Sequence, residues 1–183
     1  MSTLYSLSHQ EKNVLAHQIN PMWGVNDNYH FSFTPLDSFI KLTQPKSIID
    51  YGCGKGFALD QLKLKFPDIS MVNYDPFYSA HSMFPQTPCE LVICYNVLQD
   101  VEINFLDQII EQIYNLSTKN ILLSMNFNES RGQTTVDWWR NRLARYNILI
   151  DSKVEDHQTY PMHGVPMISG GYNCWISKKA KSI

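Results

Sequence analysis

The heptapeptide Asp50-Tyr51-Gly52-Cys53-Gly54-Lys55-Gly56 restricts what this chain can fold into more than any other stretch. It ends a short Ile-rich run, Ser47–Tyr51, and opens a helical pattern, Phe57–Phe66. Glycines at alternate positions let the backbone turn tightly and let a ligand approach with no Cβ in the way. The helix that follows points its free N–H groups at whatever sits over the turn. A second strand, Ile69–Tyr74, then ends at Asp75-Pro76. A carboxylate at that place accepts hydrogen bonds from the ribose hydroxyls of an adenosine. Strand, glycine turn, helix, strand and terminal acid, in that order, predict a nucleoside site.

The rest of the chain fits the same plan. Ser8-x-x-Glu11 reads as a capping box, followed by Val14, Leu15 and Ile19 at helical spacing, and Pro21 stops that helix. Thr34-Pro35-Leu36-Asp37 starts a second helix. Glu90–Asn96 and Ile121–Met125 are near-continuous apolar strands, as expected of strands buried on both faces. Ile103–Leu116 is an amphipathic helix, and Thr135–Tyr146 a helix carrying Trp138 and Trp139. Ile148–Val154 and Tyr172–Ser177 have no helix between them and should pair. The expected fold is α/β: a doubly wound, mostly parallel, seven-stranded sheet with helices on both faces and an antiparallel C-terminal edge hairpin. The stretch from Asp75 to Glu90 is short for a helix plus a strand, so a six-stranded version with a stunted third strand fits equally. Residues 1–183 form one domain, with 1–45 as N-terminal helices or lid and 46–183 as the core.

Composition closes several other routes. Of 183 residues, 44% are hydrophobic and 17% charged, which argues against general disorder. No apolar run approaches the roughly 18 residues of a membrane span. The N-terminus lacks a basic start followed by an apolar core, so a cytoplasmic location is expected. A net charge of −2 argues against a nucleic-acid partner, and the arginines from Arg131 to Arg145 read as a solvated helix face. Cys53, Cys89, Cys94 and Cys174 form no C-x-x-C pair and read as reduced thiols. His157 and His163 lack a third ligand at short spacing, so no metal is expected. Nothing in the sequence indicates an oligomeric state.

Two nucleoside cofactors fit the glycine frame. The dinucleotide pattern G-x-G-x-x-G fails at Phe57, and Asp50 is out of place beside a pyrophosphate. A carboxylate there suits a ligand carrying positive charge. Asp50 through Gly56 matches D/E-x-G-x-G-x-G at every defined position, and Leu91–Glu102 is similar to the D-L-V-x-x-x-x-V-L-E-H-V motif after the fourth strand. The chain thus resembles the class I, Rossmann-like S-adenosylmethionine-dependent methyltransferases over about Thr34 to Ser177. Tyr51–Gly56 with the downstream Trp pair looks most like small phage and bacterial members.

The resemblance implies an enzyme that moves a methyl group from S-adenosylmethionine to a small-molecule acceptor. The alternatives are a catalytically silent binding or scaffold module, or an RNA or protein methyltransferase. Base-methylating motifs are missing: no D/N-P-P-Y/F follows the fourth strand, and Pro88-Cys89 precedes it. The implied cofactor-binding residues are Asp50, Tyr51, Gly52, Gly54, Gly56, Asp75, Pro76, Asn96 and Val97, with Ser82, Met83 and Phe84 meeting the adenine. Trp23, Tyr29, Asn126 and Tyr160 are the substrate candidates, although the aromatic ones also suit packing of the N-terminal helices. Asn96, Gln99 and Asp100 stand where the family more often has Asp, Glu and His. A base for a hydroxyl acceptor is therefore sought in loops, at His163 or His30.

Overall fold

The computed structural model describes residues 5–24, 34–127, 136–146, 160–162, 165–167 and 170–177. Helix α1 (Leu7–Ile19) and α2 (Thr34–Thr43) precede β1 (Ser47–Tyr51), α3 (Phe57–Lys65) and β2 (Ser70–Tyr74). Then come β3 (Cys89–Tyr95), α4 (Ile103–Leu116), β4 (Ser117–Phe127) and α5 (Val136–Ala144). Short strands β5 (Tyr160–Met162) and β6 (Val165–Met167) form a separate antiparallel ribbon, and β7 (Gly170–Ser177) ends the described chain.

The main sheet runs β2-β1-β3-β4-β7. Its first four strands are parallel, and β7 lies antiparallel against β4. Successive side chains of a strand face opposite sides, and the core divides accordingly. Ile48, Leu91, Ile93 and Leu122 pack under Leu36 and Ile40 of α2 and Leu59 and Leu62 of α3. Ile49, Val92, Ile121 and Leu123 pack under Ile109, Ile110 and Ile113 of α4 and Trp139 of α5. Helices thus cover both faces, as the apolar runs of β3 and β4 require.

Three expectations need amendment. Where a third strand would run, residues 75–88 form irregular chain and a 3-10 turn, Ser79–His81. The cap of α1 is Ser6, two residues before the predicted Ser8: its Oγ accepts from the His9 N–H at 3.2 Å. Arg142 is no solvated charge, since it is bonded to Asp107 at 2.7 Å and lies over the Trp138 ring at 4.7 Å. Residues 148–154, expected to pair with 172–177, lie outside the described residues.

From β1 the chain passes outward to β2, then returns to place β3 on the other side of β1. The strand order therefore reverses between β1 and β3. In open α/β sheets the ligand crevice lies at such a point, beyond the carboxyl ends of the strands.

Candidate active site

A cavity of about 320 Å³ lies at this reversal. Asp50–Gly54 after β1, Asp75–Phe77 after β2 and Tyr95–Val97 after β3 form its floor and sides. The opposite wall is Tyr5 and one face of α1, where His9, Asn13 and His17 recur every fourth residue, continued by Trp23 and Gly24. Asp50, Tyr51, Gly52, Gly54, Asp75, Pro76, Asn96 and Val97 all line it, Gly56 does not, and the substrate candidate Trp23 does. Tyr51 contributes little side chain: it is 1% exposed and its hydroxyl donates to Gln112 at 2.6 Å.

The glycine turn is held from three directions. Gly52, Gly54 and Gly56 have φ of +79°, +55° and +81°, which glycine adopts readily. A Cβ on Gly52 would strike the Val97 side chain, and one on Gly54 the backbone of Gly24. One on Gly56 would meet the side-chain ends of Asn73 and His81, at 2.5 and 2.8 Å. The alternate glycines therefore make room for three neighbouring segments as well as for a ligand. Gly24 also takes the Lys55 N–H at 2.9 Å, and the Lys55 ammonium donates to the carbonyls of Asn20 and Pro21. At its other end α1 is tied by Ser6, whose N–H and hydroxyl donate to the Glu102 carboxylate at 3.0 and 2.8 Å.

Two carboxylates face this space with different environments. Asp75 is 7% exposed, and its oxygens accept from the N–H groups of Gly54 and Phe77, each at 2.9 Å. A carboxylate has about four lone-pair sites, so acceptor capacity remains for a ligand. The Asp50 carboxylate, on a residue 4% exposed, makes no hydrogen bond with any described residue. Burial, followed by the negative charge of Asp75, pushes its carboxyl up to about 7. Burial and the same two carboxylates hold the Cys53 thiol well above its usual range, so it stays protonated and is no nucleophile.

Asn96 adopts φ +53° directly after β3, a conformation that asparagine tolerates better than most residues. This bend turns the chain so that Val97 packs onto Gly52. His17 is held below the usual histidine range by burial, which Asp75 opposes and Lys55 reinforces. Its Nδ1 is buried without a hydrogen-bond partner.

Other candidates fall elsewhere. Tyr29, His30 and His163 lie outside the described residues. Asn126 and Tyr160 are described only as backbone, in β4 and β5. Ser82, Met83 and Phe84 do not line the cavity; Met83 is 84% exposed and Phe84 packs edge-on to Tyr74. The residues missed were Tyr5, His9, Asn13 and His17, whose four-residue spacing is visible in the sequence.

A parallel sheet with a glycine turn after β1, an acid after β2 and a crevice between β1 and β3 defines a doubly wound nucleoside-binding fold. The chain belongs to the methyltransferase domain family, whose model matches residues 11–157. Among curated proteins, none matches the sequence. Its fold is similar to that of magnesium protoporphyrin IX methyltransferase from Synechocystis with bound SAM, at 11% identity and TM-score 0.60, over 95% of this chain and 99% of that one. It is also similar to an O-methyltransferase family protein from Burkholderia thailandensis, at 12% identity and TM-score 0.58, over 98% of this chain and 65% of that one. Human N-acetylserotonin methyltransferase in complex with SAM matches at 15% identity and TM-score 0.54, over 94% of this chain and 57% of that one. Among the described residues, no helix is long and apolar enough to cross a membrane.

Proposed function

We propose that this protein transfers a methyl group from S-adenosylmethionine to a small-molecule acceptor. The observation that carries the reading is Asp50, a buried carboxylate beneath the glycine turn that has no side-chain partner among the described residues. A buried charge is costly unless it is paired. The ammonium of a methionine moiety would supply that pair, whereas a pyrophosphate would be repelled. Asp75 has acceptor capacity left for ribose hydroxyls, and Phe77, Tyr5 and His9 offer ring surfaces beside it. When bound, the cofactor supplies a methyl group already activated by a sulfonium. The chain's task is then to orient the reactants and exclude water. Within the N-terminal segment, α1 and Trp23 serve as lid over the cavity, while α2 packs on the sheet. His30 and His163 stay proposed as bases for a hydroxyl acceptor. A small acceptor is supported by the fold neighbours named for magnesium protoporphyrin IX and N-acetylserotonin, and by the net charge of −2. The cytoplasm is the proposed location.

Isothermal titration tests the reading. S-adenosylmethionine and S-adenosylhomocysteine are expected to bind and NAD is not. A folded protein that binds neither of the first two would refute it.

Asp50 also links binding to pH. Its folded value of about 7 exceeds the ordinary 3.8, so the folded state holds the proton more tightly than the unfolded state. Its favourable contribution is complete below about pH 4 and is lost as pH rises through 7, by about 4 kcal/mol. Asp50→Asn is therefore expected to raise the Tm of the ligand-free protein at pH 8 and leave it nearly unchanged at pH 4. The same change should weaken S-adenosylmethionine binding by about 1.5–3 kcal/mol, the worth of a hydrogen bond to a charged group. Thermal unfolding at the two pH values and titration calorimetry check both halves.

A further inference from the structure

Helix α1 turns three polar residues, His9, Asn13 and His17, to the cavity. Two of them are engaged within the protein. The His9 ring stacks on Tyr5 and meets Phe77 edge-on, and the Asn13 amide donates to the His9 carbonyl at 2.9 Å. His17 differs: its Nδ1 is shut off from water and has no hydrogen-bond partner among the described residues. The imidazole is held from two sides. Tyr78 lies against it, with ring centres 5.2 Å apart. Gly24 presses on its other side so closely that a Cβ there would stand 2.6 Å from Cε1 and 3.3 Å from Nδ1. That same point is 3.0 Å from the Cα of Gly54, the residue whose N–H donates to Asp75. His17, Gly54 and Asp75 are therefore neighbours along the cavity wall. The charges acting on His17 are those of Asp75 and Lys55, and the Lys55 ammonium is directed to the carbonyls of Asn20 and Pro21.

We propose that His17 reads the cofactor's ribose together with Asp75: one hydroxyl of the vicinal pair donates to the Asp75 carboxylate and its neighbour donates to His17 Nδ1. The proposal rests on the reading of this cavity as the S-adenosylmethionine site. Buried polar atoms are nearly always bonded, so an unbonded one on the wall of a ligand cavity marks a contact that the ligand completes. Burial keeps the imidazole neutral, and a neutral imidazole offers one ring nitrogen as an acceptor. The group that meets it must be a donor without negative charge, because Asp75 is close by. The methionine carboxylate is excluded on that ground, and its ammonium is taken by Asp50. Two adjacent hydroxyls suit two adjacent acceptors, one from the strand edge and one from α1.

The test is titration calorimetry on the full chain with S-adenosylhomocysteine and its 2′-deoxy and 3′-deoxy forms. A site built to bind a hydroxyl rejects the analogue that lacks it. The unaltered protein is expected to bind each deoxy form about fivefold or more weakly than the parent. His17→Ala should weaken the parent by about fivefold or more and, at the same time, abolish the penalty for one deoxy form while keeping it for the other. His17→Leu should behave alike and serves if the alanine variant fails to fold. His17→Asn, which can set an oxygen near the place of Nδ1, should restore part of the lost discrimination. An unaltered protein indifferent to either hydroxyl would overturn the proposal, whether or not any variant folds. So would unchanged parent affinity in the folded variants, or an equal loss for all three ligands, which would make His17 a packing residue. Failure of S-adenosylhomocysteine itself to bind the folded, unaltered protein would instead overturn the reading of the cavity, and this proposal with it.

Discussion

Gly54→Val is expected to abolish cofactor binding and to lower the Tm sharply. A Cβ on Gly54 would lie within 3.0 Å of the O, Cα and C of Gly24. These are backbone atoms, so no rotamer change relieves the clash. The positive φ adds a conformational penalty of about 1–2 kcal/mol for a residue with a Cβ. The Pro21–Gly24 segment must then lift, which breaks the Lys55 contacts with Asn20, Pro21 and Gly24. Alanine at the three positions should grade the effect. Gly54→Ala should be worst and Gly56→Ala mildest, because Gly56 faces the ends of flexible side chains. Gly52→Ala should be partly rescued by Val97→Ala, since Val97 supplies its obstruction. Thermal unfolding with S-adenosylhomocysteine titration measures the series, and an unaffected Gly54→Val would refute this account of the turn.

The second large effect is expected at Asp75. Asp75→Ala leaves the Gly54 and Phe77 N–H groups without their acceptor. Each unsatisfied buried donor costs about 1–3 kcal/mol. The partly buried Phe77 end sits low in that range, so the sum is about 2–4 kcal/mol. For a chain of this size that corresponds to a Tm fall of about 5–15 °C. Cofactor affinity should fall as well, by about 1.5–3 kcal/mol for the lost ribose contact and further as the turn loosens. Asp75→Asn keeps one acceptor oxygen and should recover part of the stability. A Tm equal to wild type in Asp75→Ala would mean that the carboxylate does not hold the turn.

These two residues also show how far the sequence could be read. The order of strand, glycine turn, helix and acid is a local pattern, and it located Asp50, Gly52, Gly54 and Asp75 at one cavity. Apolar runs likewise gave β3 and β4, because strands covered on both faces leave that mark. What closes on the glycines was not legible, since Gly24, Val97 and Asn73 meet them from distant parts of the chain. The facing of α1 was not read. Val14, Leu15 and Ile19 gave the helical spacing, and Leu15 and Ile19 are 52% and 71% exposed. The face turned to the cavity is Tyr5, His9, Asn13 and His17, mostly polar because it borders a ligand space and not an apolar core. The stretch from Asp75 to Glu90 is short for a helix plus a strand, which foretold a stunted third strand but not its replacement by irregular chain and a 3-10 turn.

The fastening of α1 at both ends bears on timing. Its start is tied to Glu102 and its far end to the glycine turn through Lys55 and Gly24. A molecule exchanging on this side must unlatch one of these ends, and both latches include a charged group. Exchange should therefore quicken as added salt screens them. Departure of the spent cofactor is the event such a door would slow, and in many enzymes release of product limits the cycle. For the lid proposed above, these two latches would set the pace of each cycle.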